Sequence, residues 1–328
     1  MGLAPLEGAA VIRIAFLLST LFATTVIAAE ERPQVIIVVG AEGEQEYGPQ
    51  FRAWAERWRA AAERGGADAM LIGLDDSAAV REQLTAELTR TREGAAPLWL
   101  VLIGHGTFDG KTAKFNLRGE DLSAPALAAA LKEVSRPTAI INCTSCSGAF
   151  LSELSAPGRV VITATKSGHE YNFARFGDYL SSAIGDATAD LDKDEQTSLL
   201  EAYLVASAKT REFYRSESRL ATEHALLDDN GDRAGTPAEW FQGLRPTKAA
   251  KDGAKLDGDL ARTFVLVRSA REERLSAEFC TQRDEIEKRI AELRGRKSQL
   301  DEAVYFGELE KLLLEEARLY QAADKPQQ

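Results

Sequence analysis

Cysteine is scarce in this chain, with three residues in 328. That excludes a disulfide framework as what holds the fold together. Histidine is equally scarce, also three, which leaves little room for a histidine-rich metal centre. Excess positive charge is missing too. Forty Lys and Arg against fifty-one Asp and Glu give a net charge of −11. That sign argues against sequence-nonspecific binding of nucleic acid, which needs clustered cations. Past the N-terminal segment no run is apolar enough to span a bilayer, and no internal repeat is evident. What is present is 45% hydrophobic and 28% charged residues, the balance of a folded chain. The length suits one large domain with an appendage, or two domains.

The N-terminus reads as an address. Arg13 precedes an uncharged stretch from Ile14 to Ala29 that ends in small residues and is followed at once by Glu30, Glu31 and Arg32. It is shorter than the roughly 20 apolar residues of a comfortable membrane span. Residues 1–29 are therefore expected to be a secretory signal, removed or retained as an anchor, which makes the protein secreted or periplasmic. No other membrane contact is expected.

The body alternates strands and helices. Val35–Val39, Met70–Leu74, Leu98–Ile103, Thr138–Ile141 and Arg159–Ala164 read as strands, most of them continuous apolar runs of the kind buried on both faces of a parallel sheet. Helices are expected over 48–64, where Phe51, Trp54, Ala55 and Trp58 share a face, and over 77–92, 123–134 and 147–154. This alternation predicts an α/β fold, a three-layer sandwich with a mostly parallel sheet, in which function gathers beyond the carboxyl ends of the strands. From residue 172 the pattern turns helical (173–186, 198–215, 217–227), a segment with acidic loops that inserts in the domain at about 172–245. Residues 245–259 read as a linker, and 262–268 as one more strand. A helical tail, 270–328, carries an apolar stripe that includes Leu275, Ile286, Ile290, Leu293, Leu300 and Leu309. It is expected to form a long helix, a helical hairpin or a coiled coil, serving a partner, self-association, or as a lid. The domain division is thus 1–29, 30–269 and 270–328.

Polar residues sit at three strand ends: Ala41-Glu42-Gly43, Gly104-His105-Gly106, and Asn142-Cys143-Thr144-Ser145-Cys146-Ser147-Gly148. Adjacent strand ends bring an imidazole and a thiol together, and the strand-to-helix turn offers backbone N–H groups to an oxyanion. A buried cysteine or a strand-end histidine taken singly is ordinarily structural. Their ordered pairing points to chemistry.

LWLVLIGHG, ending at Gly106, and TAIINCTSCSG, ending at Gly148, resemble the caspase-like (clan CD) cysteine peptidases, and within them the legumain family. Gly119-Glu120-Asp121-Leu122 and RVVITATKSG fall where legumain-like chains have similar elements, so the resemblance covers roughly residues 34–170. It implies a caspase-like fold, protein or peptide substrates, no cofactor for catalysis, His105 as general base and acid, and a cysteine nucleophile. The nucleophile register departs from the family. Three residues before Gly148 stands Ser145, Cys146 follows it, and Cys143 lies two earlier. Cys146 is preferred, Cys143 is second, and a Ser145 nucleophile or an inactive relative remains open. Gly106 and Cys146 are the expected oxyanion-hole amides. Where the legumain pattern has an Asn to orient the histidine, this chain offers Glu42.

Cys143 and Cys146 also form a C-x-x-C, which gives a thiol–disulfide protein as a further alternative; no spacing supports zinc. Two acidic stretches have calcium-loop spacing. Asp190, Asp192, Asp194, Gln196 (through its backbone carbonyl), Ser198 and Glu201 form the first. Asp228, Asn230, Asp232 and Glu239 form the second, with Thr236 at its ninth position. Glu195 and Arg233 stand where the sharp-turn glycine belongs. Ca2+ is the candidate cation. A catalytically inactive caspase-fold scaffold that binds calcium and a partner is thus the main alternative to a peptidase. Cys280 reads as a packed thiol.

Overall fold

The computed structural model describes Met1 and residues 31–75, 77–248 and 256–323. The expected signal segment, residues 249–255 of the expected linker and the last five residues lie outside the described residues. The chain divides into residues 1–30 and a unit of 31–328, and the fold belongs to the second.

In chain order, the α/β body begins with β1 (Gln34–Val39), α1 (Tyr47–Arg64), β2 (Asp68–Ile72), α2 (Val80–Arg90) and β3 (Leu98–Ile103). Three short strands follow, β4 (Gly106–Phe108), β5 (Ala113–Phe115) and β6 (Leu122–Ser123), then α3 (Ala124–Ala130) and β7 (Thr138–Asn142). A 3-10 turn (Ser147–Phe150) leads into α4 (Leu151–Leu154), β8 (Arg159–Thr163), α5 (Phe176–Ala183) and α6 (Leu199–Ser216). Two more strands, β9 (Leu226–Asp228) and β10 (Thr236–Pro237), precede the terminal helices α7 (Ala277–Gly295) and α8 (Glu302–Ala323).

The main sheet has the order β10-β9-β8-β7-β3-β1-β2. Its five strands from β2 to β8 are parallel, and β9 and β10 join antiparallel at one edge. The alternation of side chains explains both covering layers. Val35, Ile37 and Val39 of β1 pack with Phe51, Trp54 and Trp58 of α1 and with residues of α5 and α6. Ile36 and Val38 pack on the other side with Leu84 and Leu88 of α2, Leu127 of α3 and Leu154 of α4. Burying both faces is why β1 and β3 are continuous apolar runs. The expected three-layer α/β sandwich is present, followed by a helical C-terminal region.

Two expectations are corrected, and a third is narrowed to one of its alternatives. Residues 217–227 do not form a helix; the segment runs irregular and then becomes β9, so the stretch over 172–245 adds two strands to the sheet as well as helices. Residues 262–268 add no strand; Val265 makes one isolated bridge, to Ser198, and Phe264 and Leu266 fill the core beside α1. The terminal segment is a hairpin of two helices with a cluster of its own, Ile286, Ile290, Leu293, Tyr305 and Leu312. Among the described residues no helix is long and apolar enough to cross a membrane.

Candidate active site

The sheet order reverses between β1 and β3, since β1 leads outward to β2 while β3 leads the other way to β7. In open α/β sheets the crevice beyond the carboxyl ends at such a point is where ligands bind. Ala41–Gly43 leaves β1 there, Gly104–Gly106 leaves β3, and Cys143–Cys146 leaves β7.

The His105 ring is half-buried, with Tyr47 (4.9 Å between centroids), Phe51 (5.1 Å) and Phe173 (6.1 Å) around it, all in edge contact. Its Nε2 lies 3.1 Å from the carbonyl oxygen of Glu42. The Glu42 carboxylate does not take part; it faces Arg118 at 3.9 Å. Because a carbonyl can only accept, Nε2 carries the proton and Nδ1 keeps the lone pair. Burial pushes the imidazole pKa below its ordinary value, against the smaller opposing pull of the Glu42 carbonyl. The ring is therefore neutral at neutral pH and a proton acceptor at Nδ1.

The turn after β7 is shaped by Asn142, whose Oδ1 accepts from the Thr144 amide (3.1 Å) and hydroxyl (2.7 Å). It then reverses through Cys146, which adopts a left-handed backbone (φ 60°). The reversal brings two side chains onto the peptide group of Gly106. Ser145 Oγ accepts from Gly106 N (3.0 Å) and donates to Gly106 O (3.1 Å), and the Cys146 thiol donates to the same carbonyl at 3.5 Å. Contact this close requires glycine at 106, since a Cβ there would stand 2.1 Å from the Ser145 carbonyl oxygen. The 143–146 turn and the residue following His105 thus meet directly. Cys146 is fully buried, and burial raises its thiol to about 11.

Cys143 is placed differently. It sits in the core layer with Trp54, and a Cβ on Gly177 would lie 2.8 Å from its own Cβ. Complete burial, aided by the Glu223 charge, pushes its thiol far up. It is a packing residue beneath the turn. Cys143, Cys146 and Cys280 are unpaired and buried.

The expected oxyanion amides are both engaged. Gly106 N–H is held by Ser145 Oγ, and Cys146 N–H donates to the carbonyl of Glu170 at 2.8 Å. Neither amide is open to a further acceptor in this arrangement. Glu170 gave no signal in the sequence. Its carboxylate accepts from the amides of Lys166 (2.9 Å) and His224 (3.1 Å) and binds the His224 ring. His169 lies against Phe108 instead.

The acidic loops are remote in the fold from this turn. In the first, Asp190, Asp192 and Asp194 each bring a carboxylate oxygen within 4.8 Å of the others. Burial, then the Asp194 and Glu201 charges, raise Asp192 to about 6. Ser198 and Glu201 are not among the three converging carboxylates. They form the capping box of α6, and Glu201 Oε1 accepts from the Leu191 (2.7 Å) and Asp192 (3.3 Å) amides. The second loop repeats the pattern with one exchange. Asp228 accepts from Gly231 and Arg233 as Asp190 does from Lys193 and Glu195. Glu239, expected as the last ligand, is instead in an ion pair with Arg211 at 3.1 Å. Its place is taken by Asp257, which accepts from the Asp229 (2.9 Å) and Asn230 (3.3 Å) amides and from the Thr236 hydroxyl.

No family model and no curated protein matches the sequence. Among solved structures the chain is similar to the Drosophila initiator caspase Dronc, at 13% identity and a TM-score of 0.42 over 61% of this chain and 80% of that one. It is likewise similar to caspase-1 from Spodoptera frugiperda, at 10% identity and a TM-score of 0.40 over 61% of this chain and 86% of that one.

Proposed function

We propose that this chain is an exported caspase-like cysteine endopeptidase, similar to legumain in its His-Gly and Ser-Gly strand ends, with Cys146 as nucleophile and His105 as its base. The observation that carries the reading is the meeting of the Cys146 thiol with the Gly106 carbonyl, one residue from an imidazole whose Nε2 is held by Glu42. The uncharged run over 14–29 supports export.

The directions of the two pKa shifts set the type of mechanism. A thiol raised to about 11 and an imidazole pushed down make a neutral pair, not a thiolate and imidazolium. The proton therefore moves during attack. Nδ1 of His105 takes the thiol proton as the sulfur–carbon bond forms at the scissile carbonyl. The carbon–nitrogen bond then breaks, the leaving amine takes that proton, and water cleaves the thioester with His105 again as base. The tetrahedral oxyanion is to be received by Gly106 N–H, released from Ser145 Oγ, and by Cys146 N–H, released from Glu170.

A second reading is a scaffold of the same fold without catalysis. It is favoured by one observation, that both amides already have acceptors inside the protein. A peptide library and a thiol-directed covalent probe separate the two. Cleavage by wild type that is lost in Cys146→Ala and His105→Ala but kept in Cys143→Ala supports the peptidase. Cleavage lost in Ser145→Ala and kept in Cys146→Ala moves the nucleophile to the hydroxyl. Absence of both cleavage and labelling in the folded wild type supports the scaffold.

A further inference from the structure

The loop from Asp190 to Glu201 has chemistry that the peptide-hydrolysing site does not use. Three carboxylates converge there, within 4.8 Å of one another. Oxygens that share one Ca2+ at about 2.3–2.6 Å stand at most about 5 Å apart, so this spread suits calcium without rearrangement. Positive charge nearby is slight. Arg262 reaches Asp192 at 3.8 Å, and Lys193 Nζ turns to the backbone oxygen of Asp190, at 2.6 Å, rather than to a carboxylate.

Acidic clusters alone are common on protein surfaces. The informative residue is Gln196. It is only 8% exposed, and its side-chain amide lies against the cluster, Nε2 donating to Asp194 Oδ2 at 3.3 Å. The oxygen of the same amide, Oε1, is buried with no hydrogen-bond partner. A buried amide oxygen left without a donor costs about 1–3 kcal/mol. A hard cation among the carboxylates supplies what that oxygen lacks once the amide turns to present Oε1 in place of Nε2.

We infer that Asp190, Asp192, Asp194 and the side-chain amide oxygen of Gln196 form a Ca2+ site. This differs from the EF-hand spacing, in which Gln196 serves through its main chain and the residue at 201 is a ligand. Glu201 is here a positioning residue that ties the start of the loop to the first turn of α6, so cation binding is linked to the packing of that helix. The left-handed, non-glycine Glu195 (φ 74°) makes the loop a costly one to form, and three carboxylates with one amide oxygen, lacking the bidentate glutamate of an EF-hand, place the affinity in the range of weak sites.

The test is equilibrium dialysis of the chelator-treated full chain against radioactive calcium, with thermal unfolding alongside. The expected result is saturable binding with Kd of about 10⁻⁴ M, and a Tm that rises with Ca2+ and much less with Mg2+. Asp192→Asn/Asp194→Asn loses one bound equivalent. Its metal-free Tm does not fall, because like charges have been removed. Gln196→Leu weakens the same equivalent by about tenfold or more. Unchanged stoichiometry in the double variant overturns the site. An unchanged affinity in a folded Gln196→Leu overturns the role of the amide oxygen. Equal response to both cations overturns the assignment to calcium. None of these readings depends on peptidase activity, so the site stands or falls separately from it.

Discussion

Glu42 steers the imidazole of His105 with its main chain and not with its carboxylate: Nε2 lies 3.1 Å from the Glu42 carbonyl oxygen, while the side chain faces Arg118 at 3.9 Å. Replacing the side chain therefore leaves the steering intact. Glu42→Gln should retain peptide cleavage within about threefold, whereas His105→Ala should lose about 10²–10⁴-fold. Steady-state rates on one peptide substrate settle the comparison, and a collapse in Glu42→Gln would show that the carboxylate matters after all.

The two ionisations give a pH signature. With its thiol at about 11, Cys146 should react with iodoacetamide at a rate that still climbs above pH 9. His105→Ala should slow that labelling at neutral pH, where the base is needed. His105 has the opposite displacement, downward through burial. Its neutral form then persists below the ordinary imidazole value of about 6.5, so the acid limb of cleavage should lie under that value. For stability the sign follows from proton uptake. Between the folded and unfolded pKa values the unfolded chain binds the proton first, so this contribution is whole above about pH 6.5 and is lost as the pH falls. Tm measured from pH 8 down to 5 in wild type and His105→Gln shows whether the dependence diminishes with the imidazole removed.

Ser145 Oγ bonds both the main-chain N–H and the carbonyl oxygen of Gly106. Ser145→Ala leaves a buried amide unsatisfied and should cost about 1–3 kcal/mol in denaturant unfolding. Under the proposed peptidase mechanism the same change frees Gly106 N–H for the oxyanion, so kcat/KM should be maintained or raised while stability drops. A parallel loss of both is the result that contradicts this.

Gly106→Ala should be far more damaging than its size suggests. The new methyl would stand 2.1 Å from the Ser145 carbonyl oxygen and push the 143–146 turn away from His105. Overpacking of this kind costs about 1–3 kcal/mol, and cleavage should fall below detection in protein that still folds by circular dichroism.

Glu195 is left-handed without being glycine. Glu195→Gly should raise Tm in the absence of metal, by relief of about 1 kcal/mol, and leave the calcium affinity within about threefold, because the loop has this backbone before any cation binds. A lower Tm would show that the flexibility gained in the unfolded chain outweighs the strain removed.

The strands that place the site were legible because burial on both faces writes itself as uninterrupted Val, Ile and Leu. β1, β3, β7 and β8 carry that mark, and His105 and the 143–146 turn follow directly from it. Where the signal failed, the cause was local. Residues 217–227 have helix-compatible polar residues, but pairing of Leu226–Asp228 with β8 decides their form. The strands β4 to β6 are two or three residues long, too short to show a period. The Glu42 carbonyl and the Glu170 carbonyl act through the backbone, which every residue type has, so no letter in the sequence announces them. Asp257 completes a loop whose partner amide at Asp229 lies 28 residues earlier, a pairing made by folding alone.

The left-handed backbone at Cys146 also restricts what this position can become. A side chain branched at Cβ is strongly disfavoured at φ near 60°. Threonine is therefore barred from taking over the role, and so are valine and isoleucine as inert replacements. Serine, alanine, asparagine and glycine fit. Any descendant of this chain that trades away its sulfur must choose from that short alphabet, and only one of those four retains a hydroxyl.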